Sequence, residues 1–164
     1  MANSNGEFVA IDLKTCEKVW AMGTEKSMNS VDGVKFSFDP WDAQFGYLAV
    51  GDVTDEEYNG ATVYKVMLVD GKALWQYSFK KGEVAALEVA EKQILIGVKK
   101  NFILLDSQAG DNLILAIDKE TGKMLWKYKI KTNDANWSFV TDGFSKVYVP
   151  VSTIKLDINT GKTK

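Results

Sequence analysis

One short pattern recurs along the 164 residues and strongly limits the folds that this chain can adopt. In its fullest form, at residues 116–126, an aspartate precedes Thr-Gly, and a tryptophan follows on the next segment. Residues 10–20 keep the same offsets but carry Cys16 where the glycine is expected. Residues 70–75 keep only the spacing from glycine to tryptophan, and residues 155–164 end before a tryptophan. A unit that recurs every 40 to 55 residues or so predicts a propeller or a solenoid.

Each anchor of the pattern has a local physical reason. Apolar residues alternate before the aspartate, as at Leu113, Leu115 and Ile117, which predicts a strand. The carboxylate can accept backbone N–H groups across the bend, and glycine supplies the positive φ of a tight turn. The unit is therefore interpreted as a strand hairpin whose second strand carries a large buried tryptophan. The aspartates at this position are interpreted as turn caps rather than as catalytic groups: Asp12, Asp118 and Asp157.

The segments between the tryptophans are also typical of strands, and long helical periodicity is absent. The predicted strands cover residues 34–38, 45–50, 62–68, 74–79, 84–89, 93–98, 113–117, 124–130, 137–140, 146–151 and 153–158, with an additional arm at 102–106. The spacing gives four strands to a unit. The sequence predicts an all-β protein of antiparallel four-stranded units in one domain, residues 1–164.

The pattern A-x-D-x-x-T-G-x-x-x-W resembles the tryptophan-docking repeat of the PQQ-like (quinoprotein-type) β-propeller family. In that family each blade is a four-stranded antiparallel sheet, and a tryptophan of one blade packs against the glycine turn of the next. The resemblance implies that Cys16 replaces one docking glycine, which makes the first turn a departure from the family pattern. It implies docking roles for Trp20, Trp75 and Trp126, and for Gly71, Gly122 and Gly161.

The same resemblance divides the chain into blades. It implies a partial blade at residues 1–23, blades at 31–80 and 83–131, and a partial blade at 135–164. About three to four blades make an incomplete ring, since closed propellers usually have about four to eight. Two explanations stay open: the chain is a piece of a longer propeller, or copies associate to complete the ring or stack. A small closed or sheet-packed form is a third.

Composition excludes several classes of function. The chain has no histidine and one cysteine, which removes Ser-His and Cys-His nucleophile pairs, histidine-ligated zinc and cysteine-cluster metal sites. The net charge is −2 with no basic face, so nucleic acid is not an expected partner. No signal peptide is expected at residues 1–10, and the longest apolar runs are too short to span a membrane.

Cofactor and metal sites are not expected either. Quinoprotein dehydrogenases of the family bind pyrroloquinoline quinone and calcium, but no residues of this chain match those ligands. The densest acidic stretch, which contains Asp52, Asp55, Glu56 and Glu57, lacks the order of a calcium loop. We therefore expect a protein that is not an enzyme, with no catalytic, cofactor-binding or metal-binding residues.

Two aromatic residues lie outside the docking pattern, and we predict that Trp41 and Tyr58 form a partner-binding face. The favoured hypothesis is a propeller scaffold that binds a protein, a peptide or a glycan. The alternatives are a structural protein that self-associates through its blades, and a fragment of a PQQ-dependent oxidoreductase. The resemblance alone suggests a periplasmic or secreted location.

Overall fold

The structure is a computed structural model, and within the residues that it describes the regular elements are β-strands and one short 3-10 turn at Pro150–Ser152. For residues 52–54, 57–59 and 151 the description is limited to the backbone. In the described part of the chain, no helix has the length and apolar character needed to cross a membrane. The described ranges are 7–23, 34–54, 57–80, 82–99, 112–131 and 137–163.

The strands form four antiparallel sheets in which neighbours along the chain pair with one another. The first hairpin consists of β1 (Glu7–Ile11) and β2 (Lys18–Gly23). Sheet 1 contains β3 (Val34–Phe38), β4 (Phe45–Thr54), β5 (Glu57–Met67) and β6 (Ala73–Lys80). Sheet 2 contains β7 (Glu83–Val89), β8 (Gln93–Lys99), β9 (Asn112–Asp118) and β10 (Met124–Ile130). Sheet 3 contains β11 (Val140–Thr141), β12 (Lys146–Val149) and β13 (Ile154–Asp157).

The hydrophobic core lies between the sheets, in three layers. Sheet 1 contributes Leu48 and Val50 to the layer shared with the first hairpin, and Tyr47 and Ala49 to the layer shared with sheet 2. A third layer lies between sheets 2 and 3. Because successive side chains of a strand point to opposite faces, a sheet covered on both faces has continuously buried central strands. The uninterrupted apolar runs of β4, β8 and β9 follow from this arrangement.

The all-β prediction is confirmed, and the described sheets do not close into a ring. The strand predicted at residues 137–140 was wrong in extent, because β11 begins only at Val140. In the register of β11 with β12, Ser138 would lie opposite Pro150, which has no N–H to donate. Trp137 and Phe139 instead bury their rings against Gly97 of sheet 2. The predicted arm at 102–106 lies outside the described residues.

A β-bulge interrupts the ladder directly before each repeat tryptophan. The register of the last strand shifts at this point in the first hairpin, in sheet 1 and in sheet 2. The residue on the bulge is an exposed aliphatic in all three: Val19, Leu74 and Leu125. Bulges redirect neighbouring side chains and twist an edge strand away from further pairing. Here the bulge turns the following tryptophan towards the next sheet.

Candidate functional site

The three repeat tryptophans each lie on the turn of the following sheet. A Cβ atom added at Gly71 would come within 2.5 Å of the Trp20 ring, and one at Gly161 within 2.5 Å of the Trp126 ring. At Gly122 the added atom would lie 2.7 Å from the Trp75 ring. Real Cβ atoms do not approach other atoms so closely. Only glycine, therefore, leaves room for the indole at these three turns.

Hydrogen bonds fix the orientation of these rings. The indole N–H of Trp20 donates to the carbonyl oxygen of Leu68 at 2.7 Å, three residues before Gly71. The corresponding bonds run from Trp75 to the Lys119 carbonyl at 3.1 Å and from Trp126 to the Ile158 carbonyl at 2.8 Å. The same backbone position of the turn accepts the bond each time, so the contact repeats from sheet to sheet as one unit.

The aspartate of the pattern holds the turn in shape. Oδ1 of Asp118 accepts the backbone N–H of Glu120 and both the N–H and the hydroxyl of Thr121. These bonds, the Thr121 hydroxyl first, lower the pKa of Asp118 below its ordinary value. Asp157 and Asp12 accept equivalent backbone bonds in their own turns. The three carboxylates are engaged within their hairpins.

The first turn has the same backbone with a different side chain. Cys16 adopts φ 58°, the left-handed conformation that Gly71, Gly122 and Gly161 adopt in the other turns. Its N–H donates to the Asp12 carbonyl, as the N–H of Gly122 donates to that of Asp118. The thiol is free and exposed, and the neighbouring Leu13 is 94% exposed.

A buried ion pair joins sheets 1 and 2 beside the Trp75 contact. Nζ of Lys119 lies 2.9 Å from Oδ2 of Asp39, and both side chains are almost completely buried. The Tyr47 hydroxyl and the backbone N–H of Trp41 also donate to the Asp39 carboxylate. Burial alone would raise the pKa of Asp39, but Lys119 and these donors outweigh it and lower the pKa below its ordinary value. Burial and the nearby carboxylate raise the pKa of Tyr47.

Trp41, one of the two predicted partner-binding residues, lies in the turn between β3 and β4 and remains 39% exposed. Its ring crosses to sheet 3, where a Cβ atom at Gly143 would lie 3.0 Å away. There it meets Phe144 edge-on, with the ring centroids 5.9 Å apart and the planes at 89°. The ammonium group of Lys119 lies 5.4 Å from the Trp41 ring centroid. We call Trp41 and Phe144 the aromatic pair.

Sequence reasoning did not single out Phe144, which is 62% exposed. It lies in the turn between β11 and β12, where Oδ1 of Asp142 accepts the N–H groups of Phe144, Ser145 and Lys146. These backbone bonds hold the pKa of Asp142 well below its usual range. The available signal was an apolar residue within the polar turn Asp-Gly-Phe-Ser. The tryptophan spacing of the repeat does not point to Phe144.

A small notch adjoins Phe144 at the same end of the sheets. Its volume is about 80 Å³, and its lining includes Glu91, Lys92 and Asn159. The Gln93 amide, which is buried in its wall, donates to the Ile158 carbonyl, and the Glu91 N–H donates to the Gly143 carbonyl. The notch therefore has polar walls of both charge signs beside an exposed aromatic ring.

The other predicted contact residue, Tyr58, lies on β5, but its side chain is outside the described residues. Asp55 and Glu56 of the acidic stretch are also outside them. Across the described ranges, no group of three or more cysteine or carboxylate side chains could hold a metal ion.

Antiparallel sheets stacked face to face and joined by tryptophan on glycine define a β-propeller architecture of the PQQ type. The chain belongs to the family described as "Outer membrane protein assembly factor BamB", whose model matches residues 4–162. No curated protein sequence matches the chain.

The solved structures that share the fold include three with the following similarity to this chain. BamB from Moraxella catarrhalis has a TM-score of 0.58 at 17% identity, over 98% of this chain and 46% of that chain. The β-propeller domain of Cps50 (Swd1) from Myceliophteria thermophila has a TM-score of 0.53 at 13% identity, over 90% of this chain and 43% of that chain. Quinohemoprotein alcohol dehydrogenase from Comamonas testosteroni has a TM-score of 0.56 at 15% identity, over 99% of this chain and 32% of that chain. The chain spans less than half of each neighbour, and at these identities the similarity shows the fold alone.

Proposed function

We propose that this chain is part of a non-enzymatic β-propeller scaffold that binds a protein, a peptide or a glycan. The observation that carries the proposal is the aromatic pair, which is exposed to solvent yet held by contacts among sheets 1, 2 and 3. Exposed aromatic side chains on a rigid frame are the usual anchors of protein interfaces. Membership of the BamB-like family supports the same function class.

The division into two whole blades (31–80 and 83–131) and two partial ones (1–23 and 135–164) stays a prediction. The docking roles assigned to the repeat tryptophans and glycines form part of this proposal, supported by the repeated indole contacts. The docking roles await substitution experiments.

A binding experiment tests the proposed function. The purified protein is applied to a peptide array and to a glycan array, and separately titrated with pyrroloquinoline quinone and calcium chloride while absorbance is recorded. A scaffold is expected to bind members of one array and to give no saturable spectral change with the quinone. Stoichiometric quinone binding would contradict the proposal and would favour an oxidoreductase fragment, since one fold neighbour is an alcohol dehydrogenase.

Self-association is a second candidate, favoured by the first turn. That turn has the backbone of the docking turns, yet Leu13 beside it is almost fully exposed. Another copy packed over this turn would bury Leu13. Light scattering at several micromolar concentrations tests this candidate: a mass that rises with concentration supports it, and a constant monomer mass rejects it.

We also propose an extracytoplasmic location, which rests on the family description as an outer membrane assembly factor. Fractionation of cells that express the full natural gene product tests the location. Recovery with the periplasmic or membrane fractions is expected, and recovery only with the cytosol would reject it.

A further inference from the structure

The aromatic pair is held more rigidly than an ordinary pair of surface side chains. The backbone N–H of Trp41 donates to buried Asp39, which fixes the turn, and the Trp41 ring is packed on Gly143. Phe144 projects from a turn that is tied by three backbone bonds to Asp142 and by the Ser145 hydroxyl. Little conformational entropy would be lost when a ligand covers such rings, so each contact would contribute more to affinity.

The charges around the pair disfavour a charged ligand group. The Lys119 ammonium already lies against the Trp41 ring and is paired with Asp39, so a second cation at this ring would meet like charge. The Asp142 carboxylate near Phe144 is likewise engaged within the protein, because it accepts three backbone N–H groups of its own turn. The rings are therefore suited to an uncharged apolar group.

The size of the notch separates the remaining ligand classes. Pockets that enclose small molecules usually measure about 300–1,000 Å³, whereas this notch is about 80 Å³. Since about 10–15 Å³ of such space is enough for one water molecule, it could hold several waters or one short side chain. Glu91 and Asn159 provide acceptors in its walls, and Lys92 and Asn159 provide donors. A short polar side chain fits this lining, and a cofactor or an enclosed sugar ring does not.

We propose that the aromatic pair and the notch together bind an extended peptide segment of a partner protein. The segment places a proline or a branched aliphatic residue on Trp41 and Phe144, and a nearby short, uncharged polar side chain in the notch. This inference rests on the proposed function, because it names the partner and the site through which the scaffold acts. Extended segments with proline are recognised in this way by other aromatic surfaces.

The test uses a defined probe. An array of oligoglycine decapeptides varies two positions across all residue types, and a glycan array is run in parallel. The wild-type protein is compared with Phe144→Ser and Asn159→Ala, both at exposed positions. Leu125→Ser is the matched control, since Leu125 is 50% exposed on the outer strand of sheet 2. Thermal unfolding followed by circular dichroism verifies that each variant is folded.

We expect peptides that combine proline or an aliphatic residue with asparagine, glutamine, serine or threonine to bind best. Phe144→Ser should weaken the binding of these peptides by about tenfold or more, as the loss of a central aromatic anchor does. Leu125→Ser should leave their binding unchanged. Asn159→Ala should reduce only the preference for the polar residue. Peptide binding that survives Phe144→Ser overturns this inference and leaves the proposed function standing, as does a preference for charged peptides or for glycans. Binding to neither array overturns both.

Discussion

Three tryptophans connect successive sheets, and each contributes in two ways. The ring fills the space over a left-handed glycine, and the indole N–H satisfies a carbonyl that the turn leaves free. Burial of a large aromatic group and a buried hydrogen bond both stabilise the folded state. Because neither contribution is made within a single hairpin, these residues should matter more to the stability of the molecule than to that of their own strand.

We predict that Trp126→Ala lowers the free energy of unfolding by about 3–5 kcal/mol, because it empties a site where the residue is only 9% exposed and removes the indole hydrogen bond to the Ile158 carbonyl. Leu125→Ala, on the exposed bulge next to it, should cost less than about 1 kcal/mol. Urea unfolding followed by circular dichroism measures both. Equal losses in the two variants would show that Trp126 has no special role.

Cys16 allows the glycine requirement of the turn to be tested in the opposite direction, by introducing a glycine instead of removing one. A non-glycine residue in the left-handed conformation is strained by roughly 1–2 kcal/mol. Replacing it with glycine removes this strain, but the greater flexibility of glycine in the unfolded chain offsets part of the gain. Cys16→Gly should therefore stabilise the protein by about 0.5–1 kcal/mol.

The converse substitution, Gly122→Cys, should destabilise by about 2 kcal/mol or more, because it adds backbone strain and a Cβ atom 2.7 Å from the Trp75 ring. Guanidinium unfolding of both variants measures the difference. A gain in stability for Gly122→Cys would refute the packing described for this turn.

At the level of elements, the hairpin is the repeating unit, and its turn and bulge act together. The aspartate and threonine shape the turn, the left-handed residue ends it, and the bulge then directs the tryptophan outwards. The sequence predicted the strands and the turn well, because the acid, the threonine and the glycine of each turn interact within a few residues of one another. The bulge was not predicted. Its position depends on hydrogen-bond pairing between two strands, which side-chain periodicity does not specify.

Asp118→Ala tests the turn as an element. It removes three hydrogen bonds, to Glu120 and Thr121, and should cost about 1–2 kcal/mol, since the turn is partly open to water. Asp118→Asn keeps an acceptor oxygen and should cost less. Thermal unfolding of both variants measures the effect, and a loss from asparagine as large as that from alanine would argue against the hydrogen-bonding role.

For the whole molecule, stability comes from layers between sheets, and the layer between sheets 1 and 2 includes charges. Asp39 and Lys119 are 80 residues apart in the chain and form a buried pair. Breaking such a pair usually costs more than replacing both partners, because one charge is left buried alone. The pair should therefore favour one relative placement of the two sheets.

The same pair should make stability depend on pH. The pKa of Asp39 is lowered on folding, so its contribution is full above the ordinary aspartate pKa of about 3.9 and is lost as the pH falls through the lower folded value. Asp39→Asn should cost about 3–5 kcal/mol at neutral pH and make the acid decline shallower.

The double variant Asp39→Asn, Lys119→Met should recover part of that loss. Urea unfolding across the acid range measures both effects. Additive losses from the two substitutions would contradict the coupling.

The sequence by itself determined the all-β fold, the hairpin unit and the positions of its turns, because these depend on residues close together in the chain. It also indicated Trp41 as exposed and outside the repeat, but not what lies beside it. Only the tertiary structure brought Trp41 to Phe144, Asp39 to Lys119 and the notch to the aromatic pair. Contacts between sheets depend on the distance and angle at which the sheets stack, and no pattern within a single strand encodes those quantities.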